Sequence, residues 1–225
     1  MSYFNSKPTF SQAAFRVLLL LWLTSGGLAQ EAIAQTRHAA SINARGESVF
    51  ALGSRDYYGS EIYLARPHTS QLIQLPRNSG FNSHPVWSPD GTKIAFQRAA
   101  VMGQTDIWVM NVDGSNPVNL TNTFNQIESE QSPAWSPDGT RITFVSTNGS
   151  SNWQVWVMND DGSRARRLVN NNAINSNHPS WSADGRTIQF WGNACSPNNT
   201  CSSLTKLYRI NADGNQLAEM NSAHF

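Results

Sequence analysis

Two histidines stand in matching surroundings: His84 in SHPVWSPDG and His178 in NHPSWSADG. Both precede a proline that sits two residues before a tryptophan. Imidazoles at equivalent places in a repeated structure could converge on a metal ion. The third copy of the segment has Ser132 at that place, so no third ligand is in sight. Glu128 and Glu130 are the paired carboxylates nearby. Paired-acid hydrolysis needs carboxylates that converge from different segments, and two acids on one short stretch read as surface. Cys195 and Cys201, in ACSPNNTC, are the chain's two cysteines. In an exported protein a close pair reads as a disulfide. A metal site there would want a second Cys pair or neighbouring His residues, which the sequence does not offer. Other chemistries lack their signatures: no G-x-S-x-G elbow, no phosphate-binding loop, no dinucleotide fingerprint. Asp160-Asp161-Gly162 lacks the acidic spacing of an EF-hand. The expectation is a non-enzyme with no cofactor.

The elements that position these residues are legible as repeats. PVWSPDGTKIAF (85–96) returns as PAWSPDGTRITF (133–144) and PSWSADGRTIQF (179–190). A second marker follows each time: IWVMNVDGS (107–115), VWVMNDDGS (155–163) and LYRINADGN (207–215). Trp87, Trp135 and Trp181 are 48 and 46 residues apart, a period that means a propeller, solenoid or array. Apolar residues alternate at a spacing of two around Ile94 and Phe96, which is strand periodicity. Asp90-Gly91, Asp138-Gly139 and Asp184-Gly185 mark tight turns, and a further Asp-Gly in each unit marks a second hairpin. Each unit therefore predicts four strands. A worn upstream copy aligns Gly46 with Gly91, Val49 with Ile94 and Ile62 with Ile107. The expected fold is all-β, a propeller of about four four-stranded antiparallel blades, as a closed or an open ring. The repeats run about 35–78, 79–126, 127–172 and 173–225. The tryptophans should pack between neighbouring blades.

Before the repeats, Lys7 and Arg16 precede an apolar run, Val17 to Leu23, and small residues up to Ala34. That order reads as a signal peptide over 1–34, cut after Ala34 or after Ala29. The run is too short to span a bilayer, so no membrane span is expected after signal removal. Sixteen Lys and Arg against fifteen Asp and Glu leave no basic surface for nucleic acid. The one local cluster, Arg164, Arg166 and Arg167, reads as a solvated strand edge.

PxWSPDGxxIxF, then IWVMNxDGS and the trailing Leu120-Thr121, resembles the PD40 (WD40-like) repeat of TolB-like β-propellers. The resemblance covers about 76–220 well and the first unit weakly. It implies a periplasmic or secreted scaffold that binds protein partners in the cell envelope, without catalytic residues. Two features depart from the pattern. Such propellers usually have six or more blades, and TolB carries a separate α/β domain before its propeller. Four blades could close steeply, form an arc, or complete a ring as a homodimer. Oligogalacturonate lyases share the repeat and use channel metal ligands. The alternative is therefore a carbohydrate- or lactone-active enzyme holding a metal through His84 and His178. In such a propeller the SPDG and second Asp-Gly turns share one face. The inner loops and the blade-joining loops 76–84, 121–132 and 169–178 share the other, where binding is expected. The candidate binding face comprises His84, Phe124, Glu128, Glu130, Trp153 and His178, with Tyr57, Tyr58 and Phe81 as further aromatic anchors.

Overall fold

The computed structural model describes residues 41–53, 60–67, 72–75, 80–99, 104–122, 129–147, 152–171, 173–198 and 200–220. The proposed signal segment, Tyr57, Tyr58, Phe124 and Glu128 lie outside them. The described residues form sixteen strands and no helix. They group in fours. The first blade has β1 (Ser41–Ile42), β2 (Ser48–Gly53), β3 (Ser60–Ala65) and β4 (Leu72–Gln74). The second has β5 (Phe81–Trp87), β6 (Lys93–Ala99), β7 (Thr105–Asn111) and β8 (Val118–Asn119). The third has β9 (Glu130–Trp135), β10 (Arg141–Ser146), β11 (Gln154–Asn159) and β12 (Arg166–Arg167). The fourth has β13 (Ile174–Trp181), β14 (Thr187–Cys195), β15 (Cys201–Asn211) and β16 (Ala218–Glu219). Within each blade the strands pair antiparallel in chain order. A single parallel bridge, Ser60 to Phe81, additionally joins the first two blades into one sheet.

The turn between the first and second strands is built the same way three times. Ser88 Oγ donates to Asp90 Oδ1 (2.6 Å) and accepts the Lys93 N–H (2.9 Å). Ser136 with Asp138 and Ser182 with Asp184 repeat this geometry. Gly91, Gly139 and Gly185 take φ near +70°, a conformation that a Cβ opposes. The third copy has Ala183 in place of proline, so the Ser–Asp pair and the glycine suffice.

The first blade departs from its expected alignment. Its turn closes from Asn43 to Glu47, with Asn43 N donating to Glu47 O at 3.0 Å. That is one residue shorter than Ser88 to Lys93. Asn43 Oδ1 accepts from both Arg45 N and Glu47 N, replacing serine and aspartate together. Strand β2 is therefore shifted by one, which sends each side chain to the other face. Val49 pairs with Leu64 and faces the second blade, so it answers Ala95 and not Ile94. Phe50 answers Phe96.

Three buried clusters hold the blades together, each spanning one seam. Val49, Ile62 and Leu64 meet Trp87, Ile94 and Phe96 at the first seam. Ala95, Ile107 and Val109 meet Trp135, Ile142 and Phe144 at the second. Val155, Val157 and Leu168 meet Ile188, Phe190 and Ile210 at the third, with Trp181 packed against them. Trp181 also donates its indole N–H to Ala134 O (3.2 Å), across the seam. The tryptophans thus sit between blades as the repeat demands. No such cluster among the described residues joins the first blade to the fourth, and the blades form an arc.

Candidate functional site

The first strand of each later blade does not begin at its proline. Strand β5 starts at Phe81, β9 at Glu130 and β13 at Ile174. The final residues of the supposed blade-joining loops are thus strand. Pro85, Pro133 and Pro179 lie inside these strands, and each strand slips register there against its partner. Proline offers no N–H to the ladder, so it is tolerated only where pairing breaks. The residue before it is left-handed each time: His84 at φ 49°, Ser132 at 55° and His178 at 48°. Residues other than glycine in this region cost about 1–3 kcal/mol and recur at functional positions. The bulge turns the upper half of each inner strand toward the loop-bearing face.

Above the bulge lies a layer of buried polar side chains, five residues before each tryptophan. Asn82, Glu130 and Ser176 are all at most 2% exposed. Asn82 Nδ2 donates to Ser60 O of the previous blade (3.0 Å), and Ser60 Oγ donates to Asn82 O. Arg98 Nε donates to Asn82 Oδ1 at 3.1 Å, while its guanidinium lies 3.9 Å above the Trp108 ring. Burial lowers the Arg98 pKa, with Glu61 opposing. Ser146 Oγ donates to Glu130 Oε1 at 2.9 Å. Glu130 is therefore a core residue and not the surface carboxylate expected. A carboxyl group with so little exposure is tolerated only with partners. At the third seam, Ser176 N donates to Trp153 O (2.8 Å) and Trp153 N to Asn175 Oδ1 (2.9 Å). Gln154 Nε2 donates to Ile174 O at 2.7 Å. Gln154 Oε1 and Ser176 Oγ are buried and make no hydrogen bond among the described residues, a setting that suits a bound water. Thr121, of the trailing Leu-Thr, is also internal, and its Oγ1 accepts the Ile107 N–H (3.0 Å).

The structure does not gather the expected residues into one catalytic group. His84 is half-buried with Nδ1 3.3 Å from Ser83 Oγ. His178 is exposed with Nδ1 3.1 Å from Asn177 Oδ1. They occupy strands on either side of β9. Among the described residues no three His, Cys, Asp or Glu side chains lie close enough to hold a metal. Trp153 packs on the third core cluster, whereas Phe81 is 48% exposed at the start of β5. Cys195 and Cys201 form a disulfide. It ties the ends of β14 and β15, which run longer than their counterparts in the other blades. Asn82, Arg98, Gln154 and Ser176 were not anticipated as a set. For Asn82 and Ser176, as for Glu130, the signal was the shared offset from the tryptophan, visible only once the inner strands are known to extend above the proline; Arg98 and Gln154 carried no such signal.

The sequence profile of the TolB β-propeller domain, PD40, matches residues 50–203. The chain belongs to this family. Among solved structures, this TolB-type propeller is similar to a protein from Agrobacterium tumefaciens assigned as TolB, with TM-score 0.68 and 22% identity over 80% of this chain and 63% of that one. It is similar to TolB from Acinetobacter baumannii, with TM-score 0.62 and 19% identity over 81% of this chain and 43% of that one. It is also similar to an oligogalacturonate lyase from Vibrio parahaemolyticus, with TM-score 0.61 and 17% identity over 82% and 53%. The chain thus spans less than two thirds of each of these proteins. A sequence search of curated proteins returned no match.

Proposed function

We propose that the chain is an exported, non-enzymatic scaffold that docks protein partners of the cell envelope on its loop-bearing face. Membership in the TolB propeller family supports this reading, and the disulfide is compatible with an oxidising compartment. The observation that carries it is the contrast between the two ends of the blades. Below the prolines the seams are apolar. Above them three left-handed residues and a buried polar layer hold the inner strands in fixed positions. A rigid support of this kind presents loops for recognition. The loops are rich in Asn, Ser and aromatic residues, suited to a protein surface. The test is recovery of a defined partner from envelope extracts by the mature protein. Binding should be lost on replacing 122–128 or 170–173, which keeps the buried Thr121, Glu130, Val169, Ile174 and Ser176, with thermal stability unchanged. Recovery of nothing, together with turnover of an oligogalacturonide by the purified protein, would reverse the reading.

The strained His84 and His178 favour a second reading, a carbohydrate- or lactone-active enzyme using an axial metal. Elemental analysis of the purified protein discriminates. Stoichiometric Mn or Zn that is lost in His84→Ala supports the enzyme, and metal-free protein whose melting ignores both ions removes it.

A further inference from the structure

The opposite face, formed by the turns, carries a groove at each of two successive seams, and the repeat lets them be compared residue by residue. Between the second and third blades the groove measures ≈ 370 Å³ and is lined by Asp90, Asp138, Asp160 and Lys93. Its cation is neutralised, because Lys93 Nζ lies 3.1 Å from Asp160 Oδ2. Between the third and fourth blades the groove measures ≈ 540 Å³ and is lined by Arg141, Arg166, Arg186, Asp184, Ala212 and Asp213, among others. Arg141 stands where Lys93 stood, but Ala212 has replaced the neutralising Asp160, and Arg186 has replaced Thr140. One acid is lost and a cation gained at matched positions, and Arg166 reaches in from β12.

Arg141 and Arg166 are held by uncharged acceptors and a ring, with Asp138 and Asp213 attracting them from nearby, while Arg186 is exposed beside Asp184. Arg166 donates to Ala212 O (2.8 Å) and Asp213 O (3.2 Å), both uncharged backbone acceptors. Arg141 lies 4.6 Å over the Trp181 ring, and its Nη2 reaches Gly185 O at 3.5 Å. The two carboxylates are turned into their own turns. Asp184 Oδ1 accepts from Ser182 Oγ and Arg186 N, and Asp213 Oδ1 accepts from Asn215 N. The Arg141 and Arg166 guanidinium groups, held in this way, match the planar, multidentate geometry of carboxylate and phosphate, and Arg186 is close enough to add a third donor group.

We propose that the seam between the third and fourth blades binds a small oxyanion, a carboxylate or phosphate compound, through Arg141, Arg166 and Arg186. This site is independent of the protein-docking face at the other end of the blades. The test titrates the mature protein with inorganic phosphate and with citrate, at constant ionic strength, by calorimetry and thermal shift. A saturable shift with either probe is expected, and which probe binds tells phosphate from carboxylate recognition. Arg186→Gln and Ala212→Asp, the latter restoring the pattern of the other groove, should each weaken binding about tenfold. Asp160→Ala, at the second seam, should leave it unchanged. Arg186 is exposed, so its replacement reports on binding even if Asp at 212 disturbs folding. Absence of a saturable response to both probes, or equal responses in wild type and Arg186→Gln, would overturn the proposal.

Discussion

At Asp138, three donors converge on one carboxylate oxygen: Ser136 Oγ at 2.6 Å, Thr140 N at 3.0 Å and Thr140 Oγ1 at 2.9 Å. The Ser136 hydroxyl and then the Thr140 amide push its pKa from the ordinary 3.8 down to about 2. A depressed carboxylate stabilises the fold fully above its unfolded value and loses that contribution as pH falls through the folded one. Asp138→Ala should therefore lower the melting temperature at neutral pH by a few degrees, for about 1 kcal/mol of lost hydrogen bonding. The gap from wild type should hold above about pH 5 and close as pH approaches 2, as calorimetric melts across that range would show. Gly162 makes a sharper case. It sits at φ +85°, and a Cβ there would meet Leu120 O of the neighbouring blade at 2.8 Å. Gly162→Ala should cost more than Gly139→Ala, whose added Cβ meets nothing nearer than 3.7 Å, and chemical denaturation of both variants compares them. By contrast the Lys93–Asp160 pair is half-exposed. Breaking it with Lys93→Met should change stability by less than about 1 kcal/mol.

At the scale of the element, each seam depends on an indole inserted between two sheets. Trp135 is 9% exposed and touches residues of both the second and third blades. Trp135→Ala should destabilise by about 3–5 kcal/mol, measured by denaturant unfolding. An unaltered midpoint would contradict the packing described. These seams were readable in advance, because turn chemistry and strand alternation recur with the tryptophan at a fixed spacing. The upper halves of β5, β9 and β13 were not. Stretches such as FNSH and INSNH are polar and run into a proline, so they read as loop. They are strand because the Asn82 and Glu130 side chains and the Ser176 N–H find partners within and across blades, a tertiary effect that local periodicity does not encode. The misplacement of Glu130 has the same origin, since its burial follows from a strand that extends past Ser132. The slip at Val49 came from a turn one residue short, in which Asn43 replaces both Ser and Asp of the motif. Phe50, four residues after Gly46 where Phe96 is five after Gly91, was the available clue. Arg166 is exposed on its edge strand as expected, and it also bridges to the fourth blade.

For the whole molecule, the two ends of the arc differ from its middle. On the outward side of the first blade, Ser48 and Ala65 occupy the places of Ile94 and Met110. On the trailing side of the fourth, Gln189 and Arg209 occupy those of Ala95 and Val109. Trp191 beside them is 45% exposed. A repeat array gains stability from nearest-neighbour interfaces, so blades with one partner should open before blades with two. Hydrogen exchange should accordingly be slowest in β6 and β10, around Phe96 and Phe144, and faster in β2 and β14. Uniform protection across all four blades would refute this. The proline bulges carry a different consequence. Each inner strand slips register at His84, Ser132 and His178 and then resumes pairing, so the aim of its upper segment is set by polar contacts of its own and not by the indole beneath. Evolution, or an engineer, could alter the exposed side chains of those upper segments and retarget the protein, provided the buried Asn82, Glu130 and Ser176 stay as they are.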